Sequence, residues 1–421
     1  MKNVRIRNTR IVKNLFVFLL TAAVLFAAAA PVFAAVNGDP TEVRGEIVGI
    51  SNRGLRTQYP ENSLAAVHAA AEAGLDCVLV DVSSTSDGVL VLAEAHSAAR
   101  MLGADTEDIA DYTYNALAAM PLKNRVGGKG NGDTPYSIST LAEAIADTAQ
   151  AGITLVLKFD VSLCDAVNGT EGAENCIWYI TGKTKDQVSA VQTYGETRYM
   201  IAEKRSNIIF SVLSFVRKVR SAGAVGAVLK TTNRYGVIYY KSTLAKCDGL
   251  RVIADTSEPV TAGAREDTFK WWDDLISRGY SAIITDDAEG FANYLAQNTA
   301  ARERLKSLYT KVQSMTLPDM SGAPFSDYTK AYNDAVKDVQ ALLSDLSPST
   351  RELQDAYAAL NRAVKDLELN FEAIEAGTAG NTVTLPRILL CVGAAAAVIA
   401  VQLYFFKRRK KPDSKHQTPN S

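Results

Sequence analysis

Residues 46–88, EIVGISNRGLRTQYPENSLAAVHAAAEAGLDCVLVDVSSTSDG, decide the fold. The short apolar run Ile47–Ile50 reads as a buried strand, and Asn52-Arg53-Gly54 reads as the turn that leaves it. Pro60-Glu61-Asn62 opens an alanine-rich helix that closes at Gly74. Cys77–Val82 is a second strand, which Asp87-Gly88 ends with a turn. Strand, helix and strand within about 40 residues make a βαβ unit with parallel strands. Folds of this kind keep their chemistry on polar residues at the C-terminal ends of the strands.

Working outward, the alternation of strand and helix continues from residue 44 to residue 296. Further strands are expected at Val89–Leu92, Ile153–Phe159, Ile208–Val212, Ala224–Lys230, Gly249–Ala254 and Ser281–Thr285. Some 250 residues of repeated β and α is the size of a (β/α)8 barrel, a TIM barrel of the α/β class. From about residue 300 to 369 the pattern is helical. Tyr332, Val336, Val339, Leu343 and Leu346 step by four and three, as do Leu353, Tyr357, Leu360, Val364 and Leu367. They predict two amphipathic helices joined to a third over about 291–313. Ser347-Pro-Ser-Thr-Arg-Glu352 supplies a hydroxyl cap and a first-turn acid for the last of them. This stretch resembles the small three-helix FIVAR-type modules of bacterial surface proteins, in a single copy.

The termini predict a route to a cell membrane. Residues 1–35 hold five Lys or Arg, no acid and an apolar run from Leu15 to Ala30, the pattern of a signal peptide cut near Ala34 or Ala35. Residues 388–406 form an apolar run that would rise roughly 28 Å as a helix, about one bilayer core. The basic run Lys407-Arg-Arg-Lys-Lys411 follows, so residues 407–421 are expected to be a cytoplasmic tail. The expected protein is single-pass, with its ectodomain outside a bacterial cell. The whole chain has a formal charge of −1, but residues 1–35 carry +5 and residues 387–421 carry +6, leaving −12 on residues 36–386. So acidic an ectodomain is a poor partner for nucleic acid. Of the five Cys, Cys391 falls in the apolar run. Cys164 and Cys176 bracket a Gly/Asn-rich loop, and whether they form a disulfide is left open at this point.

The opening motifs resemble those of the glycerophosphodiester phosphodiesterase family. That family begins with His-Arg-Gly, continues with Pro-Glu-Asn-Thr and Glu-x-Asp-Val, then Thr-x-Asp-Gly, and then a second His. Thr140-Leu-Ala-Glu143 and Gly279-Tyr-Ser-Ala-Ile-Ile-Thr-Asp286 echo later motifs, whereas residues 160–245 match weakly. The resemblance implies a TIM barrel, a divalent cation (Ca or Mg) and two histidines that move protons while a glycerophosphodiester is hydrolysed. The frame is kept and the chemistry is changed. Asn52 stands at the first histidine position and Glu94 at the second, with His96 two residues beyond as the alternative proton shuttle. Leu79 and Val156 stand at two metal-carboxylate positions, and only Asp81 remains to hold a metal. Arg53, Glu61 and Lys158 are the expected ligand-binding residues, with Asn62 and Asp286 retained beside them.

Three functions are compatible with these residues. The first is a non-catalytic surface protein that binds a phosphorylated polyol, a glycerophosphodiester or a partner protein. The second is an active phosphoric diester hydrolase of lipid metabolism that uses Asp81, Glu94 and His96 with a divalent cation. The third is a purely structural barrel displayed on a helical spacer.

Overall fold

The structure is a computed structural model. It describes residues 45–124, 132–194, 198–204, 209–229, 240–247, 250–257, 267–315 and 326–375. The N-terminal segment, the apolar run 388–406, Cys391 and the basic tail lie outside the described residues. No helix among the described residues is long and apolar enough to cross a membrane.

Eleven strands are described: β1 (Val48–Asn52), β2 (Cys77–Ser84), β3 (Leu90–Leu92), β4 (Lys123–Asn124), β5 (Gly132–Asp133), β6 (Thr154–Asp160), β7 (Ile177–Thr181), β8 (Arg198–Lys204), β9 (Gly226–Leu229), β10 (Arg251–Asp255) and β11 (Ala282–Thr285). Eight of them run parallel in the order β1-β11-β10-β9-β8-β7-β6-β2. β1 also pairs with β2, through Ser51 with Val78 and Asn52 with Leu79, which brings the sheet round on itself into an α/β barrel. β3 lies antiparallel on β2, and β4 and β5 form a separate small pair.

The strands are apolar on both faces because each has a helix outside and the barrel interior inside. Val78, Val80, Leu155, Leu157, Trp178 and Ile180 face the helices in one large core. Val48, Ile50, Leu79, Val156, Ile177, Tyr179, Val228, Ile253, Ala282 and Ile284 fill the interior. A strand's period of two then sets the top layer. Two residues beyond Ile50, Leu79, Val156, Ile253 and Ile284 come Asn52, Asp81, Lys158, Asp255 and Asp286. The opposite end is closed by buried Arg251, which donates to the carbonyls of Ser281 at 3.1 Å and Glu46 at 3.3 Å.

Three features differ from expectation. Residues 209–212 are helical rather than extended, as the start of the helix Ile209–Ser221. Val212, Phe215, Val216 and Val219 are its buried residues, a spacing that suits a helix and not a strand. β7 and β8 were not expected; Ile177-Trp-Tyr-Ile180 is too short a run to separate from a loop by periodicity. Cys164, Cys176 and Cys247 are buried free thiols, so no bridge joins Cys164 to Cys176. Burial pushes the Cys164 and Cys247 thiols up to about 11 and Cys176 up to about 12.

The helical region consists of the helices Ala288–Gln313, Ser326–Ser344 and Thr350–Glu375. The chain divides into two compact units, Met1–Ser307 with Gln340–Asp355, and Leu308–Val339 with Ala356–Ser421. The helix Ala288–Gln313 is continuous across residues 296–300. Within the first unit, Asn298 donates to the Pro348 carbonyl at 2.9 Å, and Arg302 to the carbonyls of Leu343 and Asp345. Buried Asp273 accepts from the Tyr294 hydroxyl and the Arg351 backbone. Ser349 and Glu352 form the expected cap, each side chain bonded to the other residue's backbone N–H. In the second unit Val312, Tyr332, Val339, Leu360, Val364 and Leu367 are buried.

Candidate functional site

The site lies at the C-terminal ends of β1, β2 and β6 and is organised by Arg53. Its backbone is left-handed, with φ of 63°, as is that of Asn62, with φ of 57°. Such conformations are costly for a residue with a side chain and persist where the surroundings over-determine them. Here the Arg53 N–H donates to the Leu79 carbonyl at 2.7 Å, and the Asn62 N–H donates to the Arg53 carbonyl at 3.1 Å. Asn62 in turn accepts from the Asp81 N–H at 3.0 Å and donates to the Asp81 carboxylate at 3.2 Å. The turn after β1 is thus stitched to the end of β2.

The Arg53 guanidinium meets three carboxylates. Its Nε lies 2.6 Å from Asp81 Oδ2, its Nη1 3.3 Å from Glu61 Oε1, and its Nη2 3.0 Å from Glu94 Oε2. Lys158 Nζ approaches the other Asp81 oxygen at 3.5 Å. Arg100, on the short helix Ala98–Leu102, completes the cluster. It pairs with Glu61 Oε1, and its Nη2 lies 2.9 Å from Glu94 Oε2. Burial would lower the Arg53 pKa, but Asp81, Glu61 and Glu94 outweigh it, and the guanidinium is held charged more firmly than usual. Burial would likewise raise Asp81, but Arg53, then Lys158, hold its carboxyl below the usual carboxylate range.

A second group of side chains gathers on β1, β10 and β11. Asn52 donates to Asp286 Oδ1 at 2.9 Å, and Arg56 pairs with Asp286 Oδ2. Buried Asp267 accepts from Thr256, Trp272, Thr285 and the backbone N–H groups of Asp286 and Asp287, which sets the turn after β11. Burial raises the Asp286 carboxyl to about 6. Arg56 and Asn52 act against the rise, and Asp267 and Asp255 add to it.

Among the sequence-derived candidates, Arg53, Glu61, Asp81, Glu94 and Lys158 converge. His96 is placed elsewhere: its imidazole pairs with Asp108, which raises its pKa, and its side chain is 78% exposed. Leu79 and Val156 are buried in the apolar interior. Arg100 and Arg56 escaped the sequence reading. Neither sits in a family motif, and a lone arginine in a loop or a one-turn helix looks like any solvated charge.

The donor set does not fit a divalent cation. A hard cation takes six or more oxygens, with several carboxylates among them. Of the three positions where the resemblance implies a metal carboxylate, Asp81 alone carries one, and both its oxygens are engaged by side-chain cations. Among the described residues no three His, Cys, Asp or Glu side chains are grouped so as to hold a metal ion.

Residues 53–289 match the sequence model of the glycerophosphoryl diester phosphodiesterase family, and the chain belongs to that family. Human glycerophosphodiester phosphodiesterase 1 is 33% identical over 120 residues, which is 28% of this chain and 34% of that one. The chain thus spans about a third of the length of this curated relative. Similar solved structures include a glycerophosphodiester phosphodiesterase from Thermotoga maritima, at 21% identity and a TM-score of 0.44. It covers 59% of this chain and 97% of that one. Another is a putative glycerophosphoryl diester phosphodiesterase from Silicibacter pomeroyi, at 17% identity and a TM-score of 0.47, covering 59% and 95%.

Proposed function

We propose that this chain is a degenerate member of its family that binds a ligand at the barrel mouth without hydrolysing it. The ligand class is a phosphorylated polyol or a glycerophosphodiester, with a partner protein as the other candidate. One observation carries this reading: Leu79 and Val156, at two of the family's metal-carboxylate positions, are fully embedded in the apolar barrel interior. The remaining carboxylate, Asp81, is neutralised by Arg53 and Lys158. Guanidinium and ammonium groups at the mouth suit a phosphate oxygen, and a metal-free protein has no need of a metal's carboxylates. The apolar run 388–406 and the basic run that follows support placement on a cell membrane. The helices after the barrel support a spacer role, as in FIVAR-type modules.

A second reading, a working phosphoric diester hydrolase, is favoured by Asp286. It is hydrogen-bonded to Asn52 at the first histidine position, and a carboxyl with its pKa raised to about 6 can give and take a proton near neutrality. The test is calorimetric titration of the full-length protein with Ca²⁺ and Mg²⁺, with and without glycerol phosphate, beside an assay of glycerophosphodiester hydrolysis. The binding reading expects no heat from metal and no turnover. Turnover that disappears in Asp81→Ala or Asp286→Asn would establish the hydrolase instead.

A further inference from the structure

We propose that Arg53 and Arg100 form a two-guanidinium oxyanion site which Glu94 fills in the free protein, and that a singly charged phosphodiester enters by taking Glu94's place. The inference rests on the binding reading above and adds to it Arg100 as a binding residue and Glu94 as the group displaced.

Two nitrogens from different elements converge on one oxygen. Arg53 Nη2 and Arg100 Nη2 lie 3.0 and 2.9 Å from Glu94 Oε2. Both guanidinium groups are anchored from behind by Glu61, whose Oε1 meets Nη1 of each. The second nitrogen of each fork is therefore aimed at the same point whether or not Glu94 is there. Exposure ranks the partners. The side chains of Arg53, Arg100 and Glu61 are 12%, 21% and 11% exposed, whereas Glu94 is 45% exposed and lies outermost. An ion pair to so exposed a carboxylate is weak and easily exchanged, while paired guanidinium donors hold an oxyanion well. Glu94 lies two residues after β3, outside the parallel strands, so its side chain can rotate toward solvent without breaking the barrel ladder.

Charge selects the ligand. Arg53, Arg100 and Lys158 face Asp81, Glu61 and Glu94, three cations against three anions. Exchanging the Glu94 carboxylate for a phosphodiester, which carries one negative charge, keeps the cluster balanced. A phosphate monoester near neutral pH would leave an excess anion beside Asp81.

The experiment uses the full-length protein with dimethyl phosphate as probe, read by calorimetry, with thermal unfolding to verify that each variant folds. Glu94→Gln removes the competing anion and is expected to bind dimethyl phosphate at least about tenfold tighter than the parent. Arg100→Gln is expected to bind at least about tenfold weaker, with Arg100→Lys in between because it keeps the charge and loses the fork. Inorganic phosphate is expected to show a smaller gain in Glu94→Gln. Vesicles of phosphatidylglycerol present the same diester at a lipid surface. The same ranking of variants on vesicles assigns the ligand to a headgroup, and a ranking confined to dimethyl phosphate assigns it to a free diester. Equal affinity of parent and Glu94→Gln for dimethyl phosphate, or an Arg100→Gln variant that binds like the parent, overturns the proposal. Turnover of a glycerophosphodiester would instead overturn the non-catalytic reading and leave this ranking to stand on its own.

Discussion

Arg53 combines a left-handed backbone with a guanidinium that neutralises Asp81, Glu61 and Glu94. Its removal takes one cation from each of two nearly buried carboxylates, leaving Asp81 with Lys158 and Glu61 with Arg100. Arg53→Met is therefore expected to cost about 2–3 kcal/mol, measured by denaturant unfolding, less than the full penalty of an unpaired buried charge. Asp286 makes a pH prediction. Its carboxyl titrates near 3.8 in the unfolded chain and at about 6 in the fold. Between these values the folded protein keeps a proton that the unfolded chain has released. The group's contribution is thus fully present below about pH 4 and is lost as pH rises through about 6, a loss of about 2–3 kcal/mol. Asp286→Asn removes this dependence, so the variant should gain that much stability relative to the parent between about pH 4 and about pH 7. A constant difference across that range would show that Asp286 is not titrating there. Asp81 acts in the opposite sense: its contribution is present above the ordinary carboxylate range and is lost as pH falls through its depressed value.

At the scale of elements, the turn after β1 is tightly constrained, with left-handed backbone at Arg53 and Gly54. Gly54 has φ of 76°, and a Cβ there would lie 2.5 Å from the backbone carbon and oxygen of Ala66. The helix Leu64–Glu72, capped by Ser63 through the Ala66 N–H at 3.1 Å, is pressed against this turn, and the Leu55 N–H donates to the Ala66 carbonyl at 2.8 Å. Gly54→Ala should destabilise by at least about 2 kcal/mol, combining a disfavoured φ with a backbone clash, and should shift Arg53. Thermal unfolding measures the first, and the affinity for dimethyl phosphate reports the second. At the other end of the chain the Ser349–Glu352 capping box starts the last helix. Ser349→Ala should cost about 1 kcal/mol, read by the same unfolding experiment.

At the scale of the whole molecule, side-chain ion pairs join the described residues of the barrel mouth, and the binding reading expects no metal ion there. A ligand that binds the folded state raises Tm by mass action, and a metal with no site does not. Millimolar Ca²⁺ or Mg²⁺ should therefore move Tm by less than about 1 °C once ionic strength is matched. A larger, saturable rise removed by Asp81→Ala would reveal a metal site. The family model matches residues 53–289, and on the binding reading the scaffold that aims side chains at the mouth serves a ligand without the chemistry that the resemblance implies at Asn52, Leu79, Glu94 and Val156.

The βαβ opening and the parallel sheet were legible from local signals alone. Apolar runs, turn dipeptides and the period of two in Cys77–Val82 are properties of a few neighbouring residues. The same period places Asp81 and Lys158 one step above Leu79 and Val156, so which side chains reach the mouth could be counted along each strand. β7 and β8 were not legible, because brief apolar runs acquire their state from the barrel wall they complete, whereas the helix Ile209–Ser221 does carry its signal in the spacing of Val212, Phe215, Val216 and Val219, which the run 208–212 taken by itself hides. The pairing of charges was equally hidden. Arg100 lies 39 residues from Glu61 in the chain and meets the same oxygen as Arg53, and Arg56 lies 230 residues from Asp286. Such contacts exist because closing the barrel brings the ends of β1, β2 and β11 together, and no local pattern encodes a distance across the barrel mouth.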